Sequence, residues 1–513
     1  MFSDYLDRGN LINPYGTWAT DGTFDLTYKD ATDLTHRVAN ALQREGLRPG
    51  DRAAVYSPNG VEALACIVGL VRAGVTWIAL NPYAKPAELG ALLEKADCEF
   101  MLFHSSFEQD ARALAADQPA IRNIVGFGGD CADDFENWLD PKGKVFPRLP
   151  YDPESITMIL GSGGTTGTPK AVPINCRQCL AMSLAFNAHM PEDAPPTYLM
   201  TTPMTHAGGV CAWPVLAQGG TVVVHDGVKS DRIFDSIERH SVSRMFLPPT
   251  AIYGLLAAPG VDSADFSSLR HFVYAAAPMS ANKLEEALEV FGPVMAQTFG
   301  QAEAPMICTY LSPREHLDAV TDGKPERLRS AGRPSLVASV EIMDPDGKFL
   351  PNGEIGEIVV RGDLVMCGYY GDAEASQETQ REGGWHGTSD LGYRDDEGFV
   401  YIVDRARDMI ITGGFNVYPS EIERVIWKLP AVLDCAVIGI PHEKWGEAVT
   451  AFVETKDGET VSEAEVMSVC RAELGSVKSP KSVLFQKLPR TANGKVVKRV
   501  LRDSYWSGSE RRV

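Results

Sequence analysis

The stretch Ser162-Gly163-Gly164-Thr165-Thr166-Gly167-Thr168-Pro169-Lys170 gathers glycines, hydroxyls and a lysine into one short loop. Glycines let the backbone curl so that its N–H groups converge on an anion. Thr165 and Thr166 add hydroxyl donors, and Lys170 adds a positive charge. This is the chemistry of a phosphate cradle. It is not a Walker loop, because Lys170 comes three residues after Gly167 and not directly behind it. It is not a dinucleotide fingerprint, because Thr166 stands where the third glycine belongs. A flexible surface turn is the competing reading of the loop taken alone. Cys176 and Cys179 form a C-x-x-C just downstream. Zinc or redox chemistry would need a second ligand pair or a thioredoxin-like setting, and neither is visible, so these thiols are expected to pack and to bind no metal.

The loop follows residues 155–160, an apolar run that reads as a buried strand. Strand-like runs at 100–104, 244–247, 271–274 and 294–298 alternate with helical patterns up to about Gly300. Such alternation predicts parallel sheets covered by helices. From residue 339 to 361 short strands are separated by Asp344-Pro345-Asp346-Gly347 and Pro351-Asn352-Gly353, both strong turn signals, which predicts a small antiparallel barrel or sheet. Beyond Arg407, Pro419-Ser420-Glu421-Ile422-Glu423 opens a helix, with Ser420 read as its N-cap and Glu423 at the capping-box position. Residues 432–440 and 448–454 read as strands and 462–474 as an amphipathic helix. The expected fold is α/β: a large N-terminal domain, 1–406, of two αβ-layered sheets plus a small β-barrel, and a small α+β C-terminal lid, 407–513. Between Lys478 and Arg502 stand eight Lys or Arg and no Asp or Glu. In so acidic a chain, that reversal predicts a lid that meets phosphates, against the alternative of a solvated basic face.

A chain of 513 residues exceeds one hydrophobic core. Its formal charge of −20 argues against nucleic acid or an anionic membrane as the main partner. The most apolar stretch, 63–80, is broken by Arg72 and Gly74, so no membrane span is expected. Asp4, Asp7 and Arg8 leave no signal-peptide core, and ten scattered cysteines suit a reducing cytoplasm better than a disulfide framework.

The glycine loop resembles the phosphate loop of the adenylate-forming superfamily, which includes acyl-CoA synthetases, peptide-synthetase adenylation domains and firefly luciferase. Further segments match in the family's order. Pro203-Met204-Thr205-His206-Ala207-Gly208-Gly209 resembles its Pro-x-x-His segment. Ala275-Ala276-Ala277-Pro278 and Phe299-Gly300-Gln301-Ala302-Glu303 resemble its adenine and magnesium segments, and Trp385-His386-Gly387-Thr388-Ser389-Asp390 its ribose segment. Asp404-Arg405-Ala406-Arg407-Asp408 resembles the hinge, followed by Gly413-Gly414-Phe415-Asn416-Val417-Tyr418-Pro419. Leu488-Pro489-Arg490-Thr491-Ala492-Asn493-Gly494-Lys495 resembles the C-terminal lysine loop. The matches run from about Gly50 to Lys495.

The resemblance implies ATP, magnesium and coenzyme A as the small-molecule partners. Ser162, Gly163, Gly164, Thr165, Thr166, Gly167 and Lys170 would hold the β- and γ-phosphates. Ala276, Ala277, Pro278, Thr298, Phe299, Gly300, Gln301 and Ala302 would surround the adenine and α-phosphate. Asp390, Arg405 and Ile402 would serve the ribose, and Glu303 would be the magnesium ligand. Lys495 would bridge the carboxylate and α-phosphate in the first half-reaction. The lid would then swing about Arg407, and Gly413 and Gly414 would line the pantetheine tunnel. His206 would gate the acid site, whose walls are read as His206, Val210, Tyr253, Tyr274, Ala276 and Met306. The run Ala275-Ala276-Ala277 and the pair Gly208-Gly209 are small, which predicts volume for a bulky hydrophobic acid: aromatic, alicyclic or terpenoid, as in natural-product biosynthesis. Two departures stand out. Ala302 replaces the usual threonine, removing one donor to the α-phosphate, and Ser389 replaces the usual glycine. The implied activity is ATP-dependent activation of a carboxylic acid to acyl-AMP and its thioesterification to acyl-CoA. The rivals are a stand-alone adenylating enzyme that passes acyl-AMP to a carrier protein or separate ligase, and a non-catalytic nucleotide-binding regulator. A homodimer is compatible with either.

Overall fold

Short apolar runs become the interior strands of two sheets in the computed structural model of the protein, which describes residues 2–162, 169–490 and 496–506. The runs at 100–104, 244–247 and 271–274 are strands with those bounds, and the run at 294–298 extends to Met295–Gln301. The chain divides into two compact units. One comprises 1–278, 283–339 and 360–380, and the other 279–282, 340–359 and 381–513.

The first unit holds two mixed sheets. A six-stranded sheet runs, in spatial order, Asn123–Phe127, Phe100–His104, Arg52–Tyr56, Thr76–Ala79, Ile156–Ser162 and Lys170–Asn175. Its pairs are parallel except the last, where Ser162 lies opposite Lys170. A helix, Cys176–His189, follows that last strand, opened by a capping box between Asn175 and Gln178. A nine-stranded sheet has the parallel strands Met295–Gln301, His271–Tyr274, Arg244–Leu247, Thr197–Met200 and Thr221–Val224 at its centre. At one edge Thr17–Thr20 pairs parallel to Thr221–Val224, and Asp25–Thr27 closes that edge antiparallel. The N-terminal helix Phe2–Ile12 packs beside it, with the Phe2 ring stacked on Trp213 at 4.1 Å. The Tyr28 hydroxyl donates to the Gly220 carbonyl at 2.6 Å.

The second unit holds most of a five-stranded sheet, a half-barrel built from Ala338–Met343, Gly356–Gly362, Gln380–Arg381, Trp385–Arg394 and Val400–Arg405. It also holds a second five-stranded sheet dominated by the long hairpin of Val432–His442 and Gly446–Thr455. That sheet packs on the helices Pro419–Ile426 and Glu463–Lys478 through Ile410, Ile422, Ile426, Val437, Val449 and Val466, all fully buried.

Ser420 is not the N-cap of its helix. Tyr418 takes that place and Pro419 is the first helical residue, where its missing N–H costs nothing. The Ser420 amide donates instead to the Asp404 carboxylate at 2.8 Å, and Glu423 turns inward. The helix read at 462–474 is capped by Ser462 as its pattern suggests and continues to Lys478 past a kink at Gly475.

Candidate active site

Parallel strands of an α/β sheet deliver their following residues to one edge, and ligands bind beyond those carboxyl ends. In the nine-stranded sheet the strand Thr197–Met200 feeds the loop that carries His206 and the short helix Ala207–Val210. Arg244–Leu247 feeds the helix Pro249–Leu256 with Tyr253, and His271–Tyr274 feeds Ala275, Ala276, Ala277 and Pro278. The neighbouring strand Met295–Gln301 carries Thr298, Phe299, Gly300 and Gln301, and the turn to Ala304–Leu311 carries Ala302 and Glu303. The topology thus brings the predicted acid and adenine residues to one end of one sheet.

Glu303 is buried, at 7% exposure. Its Oε1 accepts a hydrogen bond from the Tyr369 hydroxyl at 2.8 Å, and its carbonyl accepts from the Met366 amide at 2.8 Å. Burial and the adjacent carboxylate push the Tyr369 phenol up, so it remains a donor. The Lys170 ammonium sits over the Tyr369 ring, 4.5 Å from its centre, and 3.9 Å from Glu378. Thr298 is buried, and its hydroxyl has no partner among the described residues. Phe299 is buried beside it. No group of three or more His, Cys, Asp or Glu that could hold a metal occurs among the described residues. One buried carboxylate nonetheless suits magnesium, which takes most of its ligands from phosphates and water.

His206 is flanked by the Thr205 hydroxyl, 3.0 Å from its Nδ1, and burial lowers its pKa to about 4. The imidazole is therefore neutral at physiological pH. Its loop is pinned by Asn59, which donates to the carbonyls of Thr202 and His225 at 2.9 Å and accepts from the Met204 amide at 2.8 Å. The pair Gly208-Gly209 leaves no volume, contrary to the expectation from their size. A Cβ on Gly209 would stand 1.7 Å from the Met204 carbonyl oxygen, so glycine serves close backbone approach there. Val210 is buried, while Tyr253 and Met306 are half-buried. Tyr274 is fully buried, and its hydroxyl is engaged with Gln297 at 3.1 Å and His316 at 2.9 Å.

In the second unit Asp390 lies opposite Arg405 across an antiparallel pair, and Arg405 Nε is 3.1 Å from the buried carboxylate. Ile402 is half-buried on the same strand as Arg405. Arg407 lies exposed in the turn Ala406–Asp408. Gly413 and Gly414 form the two-residue loop of the hairpin Ile410–Thr412 to Phe415–Val417, with φ of 58° and 84°. Positive φ at both positions is the demand of a type I′ turn, which glycine meets without strain.

Four of the eight basic residues between Lys478 and Arg502 are paired with carboxylates of their own unit. Lys478 pairs with Glu421, Arg490 with Asp434 and Glu454, and Arg502 with Asp408. Lys498 pairs with the buried Glu423 at 2.7 Å. Burial would lower the Lys498 ammonium, but Glu423, Asp404 and Asp408 hold it up.

Gly163, Gly164, Thr165, Thr166, Gly167 and Lys495 lie outside the described residues, which include Ser162 at the loop's entry. Of the non-glycine residues with positive φ, Ala276 (72°), Met306 (63°) and Ser389 (59°) belong to the segments singled out from sequence. Strained backbone of this kind collects at functional sites. Tyr369 and Asn59 escaped the sequence reading. Tyr369 sits in Gly368-Tyr369-Tyr370-Gly371, where an aromatic between glycines was the available signal. The Cys176 and Cys179 thiols are buried on one helix, and burial pushes Cys179 up to about 12.

The AMP-binding enzyme family matches residues 8–370, and the AMP-binding enzyme C-terminal domain matches 421–495. The chain is 33% identical to a medium/long-chain-fatty-acid–CoA ligase of Mycobacterium tuberculosis, over 96% of this chain and 88% of that protein. It is 32% identical to a feruloyl-CoA synthase of an Amycolatopsis species, over 96% of both. The solved structure of the amide bond synthetase McbA from Marinactinospora thermotolerans superposes with a TM-score of 0.89 at 29% identity, covering 98% of this chain and 100% of that one.

Proposed function

Since this chain belongs to the AMP-binding enzyme family, as an acyl-adenylate-forming acid–thiol ligase, we propose that its acid is a bulky hydrophobic carboxylate, aromatic, alicyclic or terpenoid. The carboxylate oxygen attacks the α-phosphorus of ATP, and pyrophosphate leaves. The sulfur of coenzyme A then attacks the acyl carbon, AMP leaves, and the thiol proton passes to solvent. The acid is already ionised at neutral pH, so the first step needs charge neutralisation more than a base. Magnesium, when bound, supplies part of that neutralisation. Glu303 would hold it, Lys170 and the glycine loop would hold the outer phosphates, and Asp390 with Arg405 would fix the ribose. Lys495 would serve the first step only, with residues 407–513 pivoting at Arg407 before the second.

What supports the substrate reading is the absence of charge on the residues read as the wall of the acid site. His206 is neutral at physiological pH, and Val210, Tyr253, Ala276 and Met306 carry no charge. None of these side chains would pair with a second carboxylate or an α-ammonium on the acid, whereas all of them suit apolar bulk. Of the relatives named above, the feruloyl-CoA synthase is named for an aromatic acyl group, and the other CoA ligase is named for fatty acids, which are apolar but not of this bulky kind.

ATP–pyrophosphate exchange over a panel of acids tests this. Bulky apolar acids should lead, and equal exchange with small dicarboxylates or amino acids would refute it. Supplying acyl-AMP with either CoA or a carrier protein tells the thiol ligase from a stand-alone adenylating enzyme. Lys495→Ala should slow acyl-AMP formation by several orders of magnitude and spare thioester formation from supplied acyl-AMP.

A further inference from the structure

We propose that Tyr369 is a positioning residue that aims the Glu303 carboxylate and seats the Lys170 ammonium, so that the metal carboxylate and the base of the phosphate loop are set by one side chain. The inference rests on the reading of Glu303 as the magnesium ligand and assigns a role to a residue outside that reading.

Residues 366–370 form a strap tied at both ends. The Met366 amide donates to the Glu303 carbonyl at 2.8 Å, and the Tyr370 amide donates to the Ala171 carbonyl at 2.9 Å. Ala171 follows Lys170 on the strand that returns from the glycine loop. The strap therefore spans from the turn that carries Glu303 to the strand that carries Lys170. Tyr369 is held within it, because its own amide donates to the Ser376 hydroxyl at 2.8 Å and Ser376 bonds to the Asp372 carbonyl.

From that position the tyrosine acts through both of its parts. The hydroxyl donates to Glu303 Oε1 at 2.8 Å, and both residues are at least nine-tenths buried. A carboxylate on a free side chain samples rotations of its terminal group. With Oε1 held by the phenol, Oε2 is presented to a cation in one orientation. The ring face meets the Lys170 ammonium at 4.5 Å, a cation–π distance that holds the charge near the loop without neutralising it. Glu378, at 3.9 Å and largely exposed, is the weaker partner.

The two parts can be removed separately. Tyr369→Phe deletes the hydrogen bond and keeps the ring. Tyr369→Leu deletes both. The probe is Mn2+ bound with a non-hydrolysable ATP analogue, followed by electron paramagnetic resonance, alongside metal-free binding of the same analogue. Tyr369→Phe should weaken Mn2+ binding about tenfold, as for loss of a charge-assisted hydrogen bond, and leave metal-free analogue binding and the KM for the acid unchanged. Tyr369→Leu should weaken metal-free binding as well. In a Glu303→Gln background, Tyr369→Phe should have no further effect on Mn2+ binding. Mn2+ affinity within twofold of wild type in a folded Tyr369→Phe protein would overturn the proposal, as would an equal loss in the Glu303→Gln background. Failure of the wild-type protein to bind Mn2+ with the analogue, or to exchange pyrophosphate, would instead refute the role of Glu303, so the two failures are distinguishable.

Discussion

Glu192 and Arg244 form a buried ion pair at the start of a central strand of the nine-stranded sheet, with side chains 8% and 5% exposed. Burial alone would raise the Glu192 carboxyl. The His271 ring and the Arg244 guanidinium overcome it and bring it down from 4.5 to about 2. His271 Nδ1 is 3.7 Å away, beyond hydrogen-bond length, so Arg244 is the stronger partner. A carboxyl that titrates near 2 in the fold and near 4.5 in the unfolded chain contributes at most about 3 kcal/mol at neutral pH. Glu192→Gln keeps the shape and one acceptor, and Arg244 keeps its bond to the Met190 carbonyl at 2.5 Å, so the expected loss is about 2 kcal/mol. The sign follows from the lowered folded value. The stabilisation is complete above about pH 4.5 and is lost as pH falls toward 2, at about 1.4 kcal/mol per pH unit. Calorimetry should show the variant melting about 2–4 °C below wild type at about pH 7. By about pH 3.5 most of that gap should have closed. A gap of the same size at both pH values would show that Glu192 does not act as a paired carboxylate.

Three further outcomes are expected. Gly209→Ala should destabilise the first unit by about 1–3 kcal/mol and disturb the His206 loop, since its Cβ would meet the Met204 carbonyl; a melting temperature and exchange rate equal to wild type would remove that constraint. Ser389→Gly should stabilise the protein by about 0.5–1 kcal/mol by relieving a φ of 59°, read from thermal melts. Ala302→Thr should raise single-turnover acyl-AMP formation about tenfold if the absent hydroxyl is a deficit; an unchanged rate would show that another group already fills that role.

The strands at 100–104, 244–247 and 271–274 were legible because a doubly covered strand must be apolar along its whole length, and these runs are bounded by turn residues. The acidic groups Glu303 and Asp390 were legible only through the order of motifs, since a carboxylate alone resembles any surface residue. What escaped were pairings across long separations. Tyr369 meets Glu303 across 66 residues, and Lys498 meets Glu423 across 75, so no local window contains both partners. Ser420 with Glu423 imitates a capping box, but Pro419 opens the helix two residues earlier than that reading and frees both side chains for tertiary bonds. The glycines of 208–209 were misread as empty space, because a sequence shows a missing side chain but not the backbone that fills its place.

The edge of the nine-stranded sheet has a consequence for synthesis. Thr17–Thr20 finds its parallel partner only at Thr221–Val224, Phe2 its stacking partner at Trp213, and Tyr28 its acceptor at Gly220. This segment therefore waits, once made, while some two hundred further residues are added. At about 5–20 residues per second, that interval is about ten to forty seconds. Throughout it Phe2 lacks Trp213 and the strand Thr17–Thr20 lacks its parallel neighbour. The edge of this sheet is thus completed only after residue 224 has been made, and a nascent chain stalled before that point lacks the partner of Thr17–Thr20.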